Sequence, residues 1–195
     1  MELQLSVNMT KSIGSLANIT GQTRLKDTPA LTGVKITVTD NKLTAIATDR
    51  YMLAKTEFEI DNPTGESKSF VMPLEAIKYL KANKQLIKMT VTDDYVTFDA
   101  WGNTTSFALL KSAYPNVETM FDEHNPTAVN SVAGNDTPLL LNLELLGIVS
   151  KLVDYQDNSR SQANSWTVGI SDNLKPLVLS RANITVLFQP SRITK

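Results

Sequence analysis

One hairpin signature occurs three times in this chain of 195 residues. From Val34 to Ala47, apolar and polar residues alternate on both sides of an Asp40-Asn41 pair. Period-two alternation marks a strand with one buried face, and Asn and Asp tolerate the positive φ that tight hairpin turns require. The pattern returns from Ile87 to Phe98 around Asp93-Asp94, and again from Trp166 to Leu179 around Asp172-Asn173. Each hairpin is followed by another strand-like run: Leu53 to Ile60, Thr104 to Leu110, and Asn183 to Phe188. The 22 threonines, interleaved with Ile and Val, suit such half-buried pleated strands.

A helical pattern precedes each hairpin. Met9, Ile13, Leu16, Ala17 and Thr20 fall on one face at 100° per residue, with Lys11, Gly14, Ser15 and Asn18 opposite. Pro73 stands where a helix can start, since its missing N–H would find no partner there anyway. Ala76, Tyr79 and Leu80 then share one face, while Lys78, Lys81 and Lys84, with Lys88 next in the run, cluster on the other around Ile77. Asn142 is a good N-cap for the third helix, whose apolar face is Leu145, Ile148, Val149, Leu152 and Val153. Glu144, Gly147, Ser150 and Lys151 lie on its other side.

The repeating unit is therefore a short strand, a helix and three antiparallel strands, an α+β arrangement of three βαβββ units. The first two units, about 1–60 and 68–110, make one domain over 1–115. They are expected to be related by a pseudo-twofold, with antiparallel helices on one side and sheets on the other. Residues 116–136 read as a polar linker with few periodic features, and 137–195 as a half domain. A unit with an apolar helix face and a half-apolar sheet cannot bury itself, so the third is expected to lack a partner within the chain and to favour self-association.

Composition removes many chemistries. Zero cysteines exclude disulfides, thiolate metal sites and Cys nucleophiles, and a single histidine, His124, excludes any two-His metal site. His124 sits in a polar stretch where a solvated imidazole is expected, and Asp40, Asp93 and Asp94 are explained by hairpin turns. There is no phosphate-binding Gly loop and no Gly-x-Ser-x-Gly elbow. The reading is of a protein that is not an enzyme and needs no cofactor or metal. With no apolar run near the roughly 18 residues of a membrane span, the expected location is cytoplasmic, without membrane contact. A net charge of −1 means that any contact with nucleic acid depends on local segregation of charge.

Leu43 to Ala54, containing Ala47-Thr48-Asp49-Arg50-Tyr51-Met52-Leu53-Ala54, resembles the Ala-Thr-Asp-Gly-His-Arg-Leu-Ala segment of bacterial DNA sliding clamps, the β subunit of DNA polymerase III. Phe70-Val71-Met72-Pro73-Leu74-Glu75-Ala76-Ile77 is similar to the start of that family's middle domain helix, and Tyr114-Pro115-Asn116 to its Phe-Pro-Asp. Leu187-Phe188-Gln189-Pro190-Ser191-Arg192-Ile193 resembles the clamp ending Val-Met-Pro-Met-Arg-Leu. The resemblance spans about one and a half clamp domains, a compact version that would suit a phage or mobile-element replication system.

The resemblance implies a ring-shaped processivity factor with helices lining the hole and sheets outside. It would encircle double-stranded DNA without sequence preference, and bind a polymerase and a clamp loader through short peptides. The lysines suited to sliding phosphate contacts are Lys11, Lys78, Lys81, Lys84, Lys88 and Lys151. Carried over by position, the family's peptide pocket falls on Leu31, Thr48, Leu53, Pro115, Met120, Leu187, Pro190, Arg192 and Ile193, with Tyr51 and Met52 reshaping its wall. Arg50, Tyr51 and Met52 replace the family's Gly-His-Arg, and Gln189 and Ser191 replace two methionines. Family rings contain twelve units, so three units per chain imply a tetramer, with an open dimer or a smaller ring as alternatives. The competing function is a scaffold or decoy that captures clamp-binding peptides without encircling DNA.

Overall fold

Alternation along the strands sorts the chain into an inner layer of helices and an outer layer of sheet in the computed structural model, which describes residues 1–20, 27–62, 65–83, 85–123, 142–153, 166–169 and 176–189. Lys84, His124, Pro190, Arg192 and Ile193 lie outside the described residues. The first unit comprises β1 (Glu2–Leu5), α1 (Val7–Ser15), α2 (Ala17–Thr20), β2 (Val34–Val38), β3 (Lys42–Thr48) and β4 (Met52–Glu59). The second comprises β5 (Lys68–Met72), α3 (Leu74–Ala82), β6 (Ile87–Val91), β7 (Tyr95–Ala100) and β8 (Asn103–Ala108). After a short α4 (Glu118–Glu123), the third comprises α5 (Leu143–Val149), β9 (Thr167–Gly169), β10 (Leu177–Arg181) and β11 (Ile184–Phe188). No helix among the described residues is long and apolar enough to cross a membrane.

The first two units exchange their leading strands. β1 pairs antiparallel with β6 of the second unit, Leu5 opposite Ile87, while β5 pairs antiparallel with β2 of the first, Met72 opposite Val34. The strand orders are β1-β6-β7-β8 and β5-β2-β3-β4-β11-β10-β9. Leu110 N donates to the Val71 carbonyl at 3.0 Å and stitches the two sheets together. Inward side chains of both, among them Leu5, Ile36, Leu43, Met52, Met89 and Phe98, form one core beneath the helices.

Caps and local bonds set the helices. Ser6 caps α1 by accepting the Met9 amide at 3.2 Å, and Asn142 caps α5 by accepting the Glu144 amide at 2.9 Å. The single first helix expected through Thr20 is instead two, interrupted at Leu16. There the Ser15 hydroxyl donates to the Ser12 carbonyl at 2.7 Å, a side-chain bond that competes with the helical ladder. On the face opposite the apolar stripe, Gly14 and Ser15 are buried and Asn18 half-buried, because α3 and the third unit pack there, while Lys11 stays exposed. Ile77, placed by periodicity among the lysines, is fully buried.

The third unit has a partner within the chain, contrary to the sequence expectation. β11 pairs antiparallel with β4, Leu187 opposite Leu53, and extends the first unit's sheet. The Thr56 hydroxyl, buried on β4, lies 3.0 Å from the Ser12 hydroxyl and accepts from Asn183 Nδ2 at 2.6 Å. On the helix side, Val153 N donates to the Ser15 hydroxyl at 3.1 Å and Asn18 Nδ2 to the Lys151 carbonyl at 3.3 Å. The apolar residues Leu145, Val149, Ile184, Val186 and Phe188 join the common core, but periodicity alone could not register this docking, since the bonds that fix it run through Thr, Ser and Asn. What the third unit's sheet lacks, among the described residues, is the exchanged fourth strand that each of the other units receives.

Helix α1 crosses α3 at Gly14, where an added Cβ would stand 2.6 Å from the Lys81 Cα and backbone N. Gly14→Ala is therefore expected to lower stability by about 2 kcal/mol despite alanine's better helix propensity. Gly147→Ala, on α5 with nothing within 4 Å of the new Cβ, should raise it by about 0.5 kcal/mol. Urea unfolding of the two variants checks both signs.

Candidate functional site

Most of the outer sheet face is polar, as alternation requires: Lys42, Thr44, Lys55 and Glu57 point away from the helices, and Glu57 pairs with both lysines. At one end the alternation fails. Ile46, Leu53, Val178 and Leu187 are buried on the outer face while their neighbours Ala45, Ala54, Leu179 and Val186 are buried on the inner one. Tyr114, Val117 and Phe121 cover this apolar patch. The cover stops short of its edge and leaves a cleft of about 230 Å³.

Six residues placed in the pocket by position line this cleft, Leu31, Thr48, Leu53, Pro115, Met120 and Leu187, together with Tyr51 and Met52, which are expected from the sequence to reshape its wall. Val117 and Pro176 complete the wall unanticipated, and Arg50 and Gln189, noted in the sequence only as departures, line it too. Leu31 comes from the 3-10 turn Pro29–Thr32, Thr48 and Leu53 from facing ends of β3 and β4, and Leu187 from β11. Pro190, Arg192 and Ile193 follow Gln189 beyond the described residues.

The turn between β3 and β4 is rigidly built. Asp49 Oδ1 accepts the amides of Tyr51 at 3.0 Å and Met52 at 2.9 Å, with its side chain fully buried. Thr48 Oγ1 donates to the Met52 carbonyl at 2.8 Å and accepts the Arg50 amide at 3.2 Å. These bonds hold Arg50 at φ 77°, a conformation that glycine adopts freely and other residues adopt at a cost of about 1 kcal/mol. The Arg50 guanidinium donates to the Thr28 hydroxyl.

The segment read as a featureless linker carries α4. Val117, Met120 and Phe121 stand at helical spacing, a signal present in the sequence but shorter than the windows that periodicity normally needs. Phe121 is buried and Lys55 Nζ lies 4.8 Å above its ring. Lys35 Nζ bonds Glu118 Oε1 and ties α4 to β2. Burial disfavours the Glu118 carboxylate, but the bond and charge of Lys35 together with backbone amides outweigh it and hold its pKa below the ordinary value. Burial pushes the Tyr114 hydroxyl well above its ordinary pKa, and the hydroxyl donates to the Ile46 carbonyl at 3.3 Å.

On the opposite side of the molecule, Lys11 on α1, Lys78 and Lys81 on α3, and Lys151 just after α5 are all exposed. None of these four forms an ion pair among the described residues. Lys81 Nζ donates to Asn18 Oδ1 at 3.1 Å, and Asn18 in turn reaches the Lys151 carbonyl, so three helices meet at this cationic edge. Lys88 does not join them. It stands on β6, where its neighbours Ile87 and Met89 point inward and it points outward, pairing with Glu2 at 2.9 Å. The hairpin pattern from Ile87 places it on this strand, so the grouping of Lys88 with the helix lysines does not hold.

The hairpin acids are structural. Asp93 pairs with Lys68 at 2.8 Å and Asp94 with Lys111 at 2.6 Å, and the Lys68 bond lowers the Asp93 pKa. Among the described residues no three His, Cys, Asp or Glu side chains come together as a metal site would require.

Residues 9–116 match the family model described as the DNA polymerase III β subunit, central domain. The chain is 31% identical over 120 residues to the β sliding clamp of Micrococcus luteus, covering 57% of this chain and 38% of that protein. Against the β sliding clamp of Staphylococcus aureus it is 28% identical over 129 residues, covering 63% and 33%. The chain thus matches little more than a third of the length of these curated relatives. Among solved structures, the DNA polymerase sliding clamp of Bacillus subtilis superposes with a TM-score of 0.72 at 16% identity, over 100% of this chain and 65% of that one. The Helicobacter pylori β clamp bound to a DNA ligase peptide also gives 0.72, at 13% identity over 98% and 66%. The clamp fold and the arrangement of antiparallel sheets against helices agree.

The Glu118 pair makes a pH prediction with a definite sign. A carboxyl whose pKa is lower folded than unfolded stabilises the fold fully above its unfolded pKa, and the contribution is lost as pH falls through the folded value. The stability advantage of the wild type over Glu118→Gln is therefore expected to be constant from neutral pH to about pH 5 and to shrink below about pH 4.5. Denaturant unfolding of both proteins across that range measures it.

Proposed function

We propose that this chain, which belongs to the DNA polymerase III β-subunit family, works as a sliding clamp: a non-enzymatic processivity factor that encircles duplex DNA and tethers a polymerase by a short peptide. The supporting observation is the two-sidedness of the molecule. Exposed lysines that form no ion pair among the described residues lie on the helix side, while the apolar cleft opens on the outer side of the sheets. A ring that slides needs phosphate contacts that are individually weak and independent of sequence, and Lys11, Lys78, Lys81 and Lys151 suit that use. Lys84 is assigned with them by sequence; Lys88, on the outer face and paired with Glu2, is the weakest member of the set.

The cleft suits a peptide that offers Leu and Phe side chains to an apolar floor and backbone groups to a polar rim. Leu31, Leu53, Pro115, Met120 and Leu187 supply floor and walls, Thr48, Tyr51 and Met52 the turn beside them. The tail residues Pro190, Arg192 and Ile193 are assigned to the same site by position. A clamp loader would use it as well, and the protein would work in the cytoplasm.

A chain carrying three units must associate to close around DNA. Residues 1–115 act as a complete domain and 137–195 as a half domain. No exchange strand lies beside β9 among the described residues, and that edge is where the half domain would accept its counterpart from another chain. Two such half domains meeting across a twofold, twice around the ring, give a tetramer of twelve units.

Retention on DNA tests the ring. The protein should remain on a closed circular plasmid through gel filtration and be lost when the plasmid is linearised. A scaffold that only captures peptides would be retained on neither, and equal retention on both forms would indicate ordinary electrostatic binding.

Truncation after Gln189 tests the cleft. The shortened protein should keep the folding transition of the full chain, because terminal residues usually carry few folding contacts, yet lose binding to polymerase-derived peptides. Unchanged peptide binding would remove the tail from the site.

A further inference from the structure

We propose that Arg50 makes the cleft selective for a partner peptide that carries an acidic side chain beside its apolar anchors. The inference rests on reading the cleft as a peptide site and adds the chemical class of its occupant. Among the described residues that line the cleft, Arg50 bears the one charge that is fixed at neutral pH. Its guanidinium is bonded to the neutral Thr28 hydroxyl and forms no ion pair with a described carboxylate.

Two acids near the cleft are committed elsewhere, and Asp27, exposed beside Thr28, forms no ion pair with Arg50. Asp49, adjacent in the chain, is fully buried under the turn and accepts the Tyr51 and Met52 amides. Glu118, across the cleft wall on α4, is held by Lys35. A guanidinium has five N–H donors, so a single bond to Thr28 leaves a fork that a carboxylate fits.

The backbone makes the same point. Arg50 is held at φ 77°, where glycine would sit without strain, and glycine is what the resembling clamp segment has there. Trp101 and Ala182 hold positive φ at other turns, and of the three only Arg50 lines the cleft, where its side chain is kept despite the strain. The apolar floor beside it lowers the local dielectric and strengthens any pair formed at its edge. A rim charge of this kind acts mainly on association and on salt dependence.

The test uses the full chain and two fluorescein-labelled decapeptides with identical Leu and Phe anchors, one with two Asp beside them and the other with two Asn. By fluorescence anisotropy at low salt, the wild type should bind the Asp peptide about fivefold more tightly. The preference should decline as salt shortens the screening length. It should persist in Arg50→Lys and fall to about one in Arg50→Gln and Arg50→Gly, the second of which folds without backbone strain. Equal affinity of the wild type for both peptides overturns this inference alone, as does a preference that survives Arg50→Gln. Failure of the wild type to bind either peptide overturns the cleft reading itself, and this inference with it.

Discussion

The exchange of leading strands between the first two units is the constraint on which the rest of the molecule depends. β1 completes the second unit's sheet and β5 the first unit's, so neither sheet is whole without the other unit. The same exchange draws α1 onto α3, close enough that Gly14 leaves no room for a side chain against Lys81. Reciprocal pairing of this sort spreads long-range hydrogen bonds across the domain and makes the two units one cooperative body. The third unit then extends the edge at β4 by the same antiparallel ladder, with Thr56 as the buried polar anchor.

Layering separates the two candidate faces. All helices of the three units stand on one side of the sheets, and their exposed positions include lysines that pair with no described acid. On the other side the sheet is mostly polar, with its main apolar patch where β3, β4, β10 and β11 converge, and there α4 and Tyr114 cover only part of it. An incompletely covered patch on an otherwise ion-paired surface is the usual mark of a partner site. The junction that attaches the third unit is therefore also what creates the cleft, since Leu187 reaches Leu53 only through the β4–β11 ladder.

Much of this was legible in the sequence, for identifiable reasons. The three hairpins, the Pro73 and Asn142 helix starts and the βαβββ order all follow from period and capping chemistry, which are local. Six positions carried over by resemblance line the cleft, as do Tyr51 and Met52, which the resemblance marks as departures; of these, Thr48, Tyr51, Met52 and Leu53 fall on the one segment from β3 to β4 whose spacing is kept. What was missed is non-local or short. The docking of the third unit is fixed through Ser12, Thr56 and Asn183, polar residues that read as surface until Ser12 and Thr56 are found buried with half-buried Asn183 bonded to Thr56. Lys88 reads with the helix lysines because lysines recur through the end of α3, and α4 has only six residues. A readable cue remained: consecutive apolar residues such as Ala45-Ile46-Ala47 and Val186-Leu187-Phe188 signal a strand buried on both faces, which requires a cover outside the sheet.

The central claim is that three units per chain assemble into a closed ring. Multi-angle light scattering across a micromolar concentration series measures it most directly. A limiting mass four times the 21.5 kDa of one chain is expected, with dissociation only on dilution. A monomer at every concentration would contradict the ring.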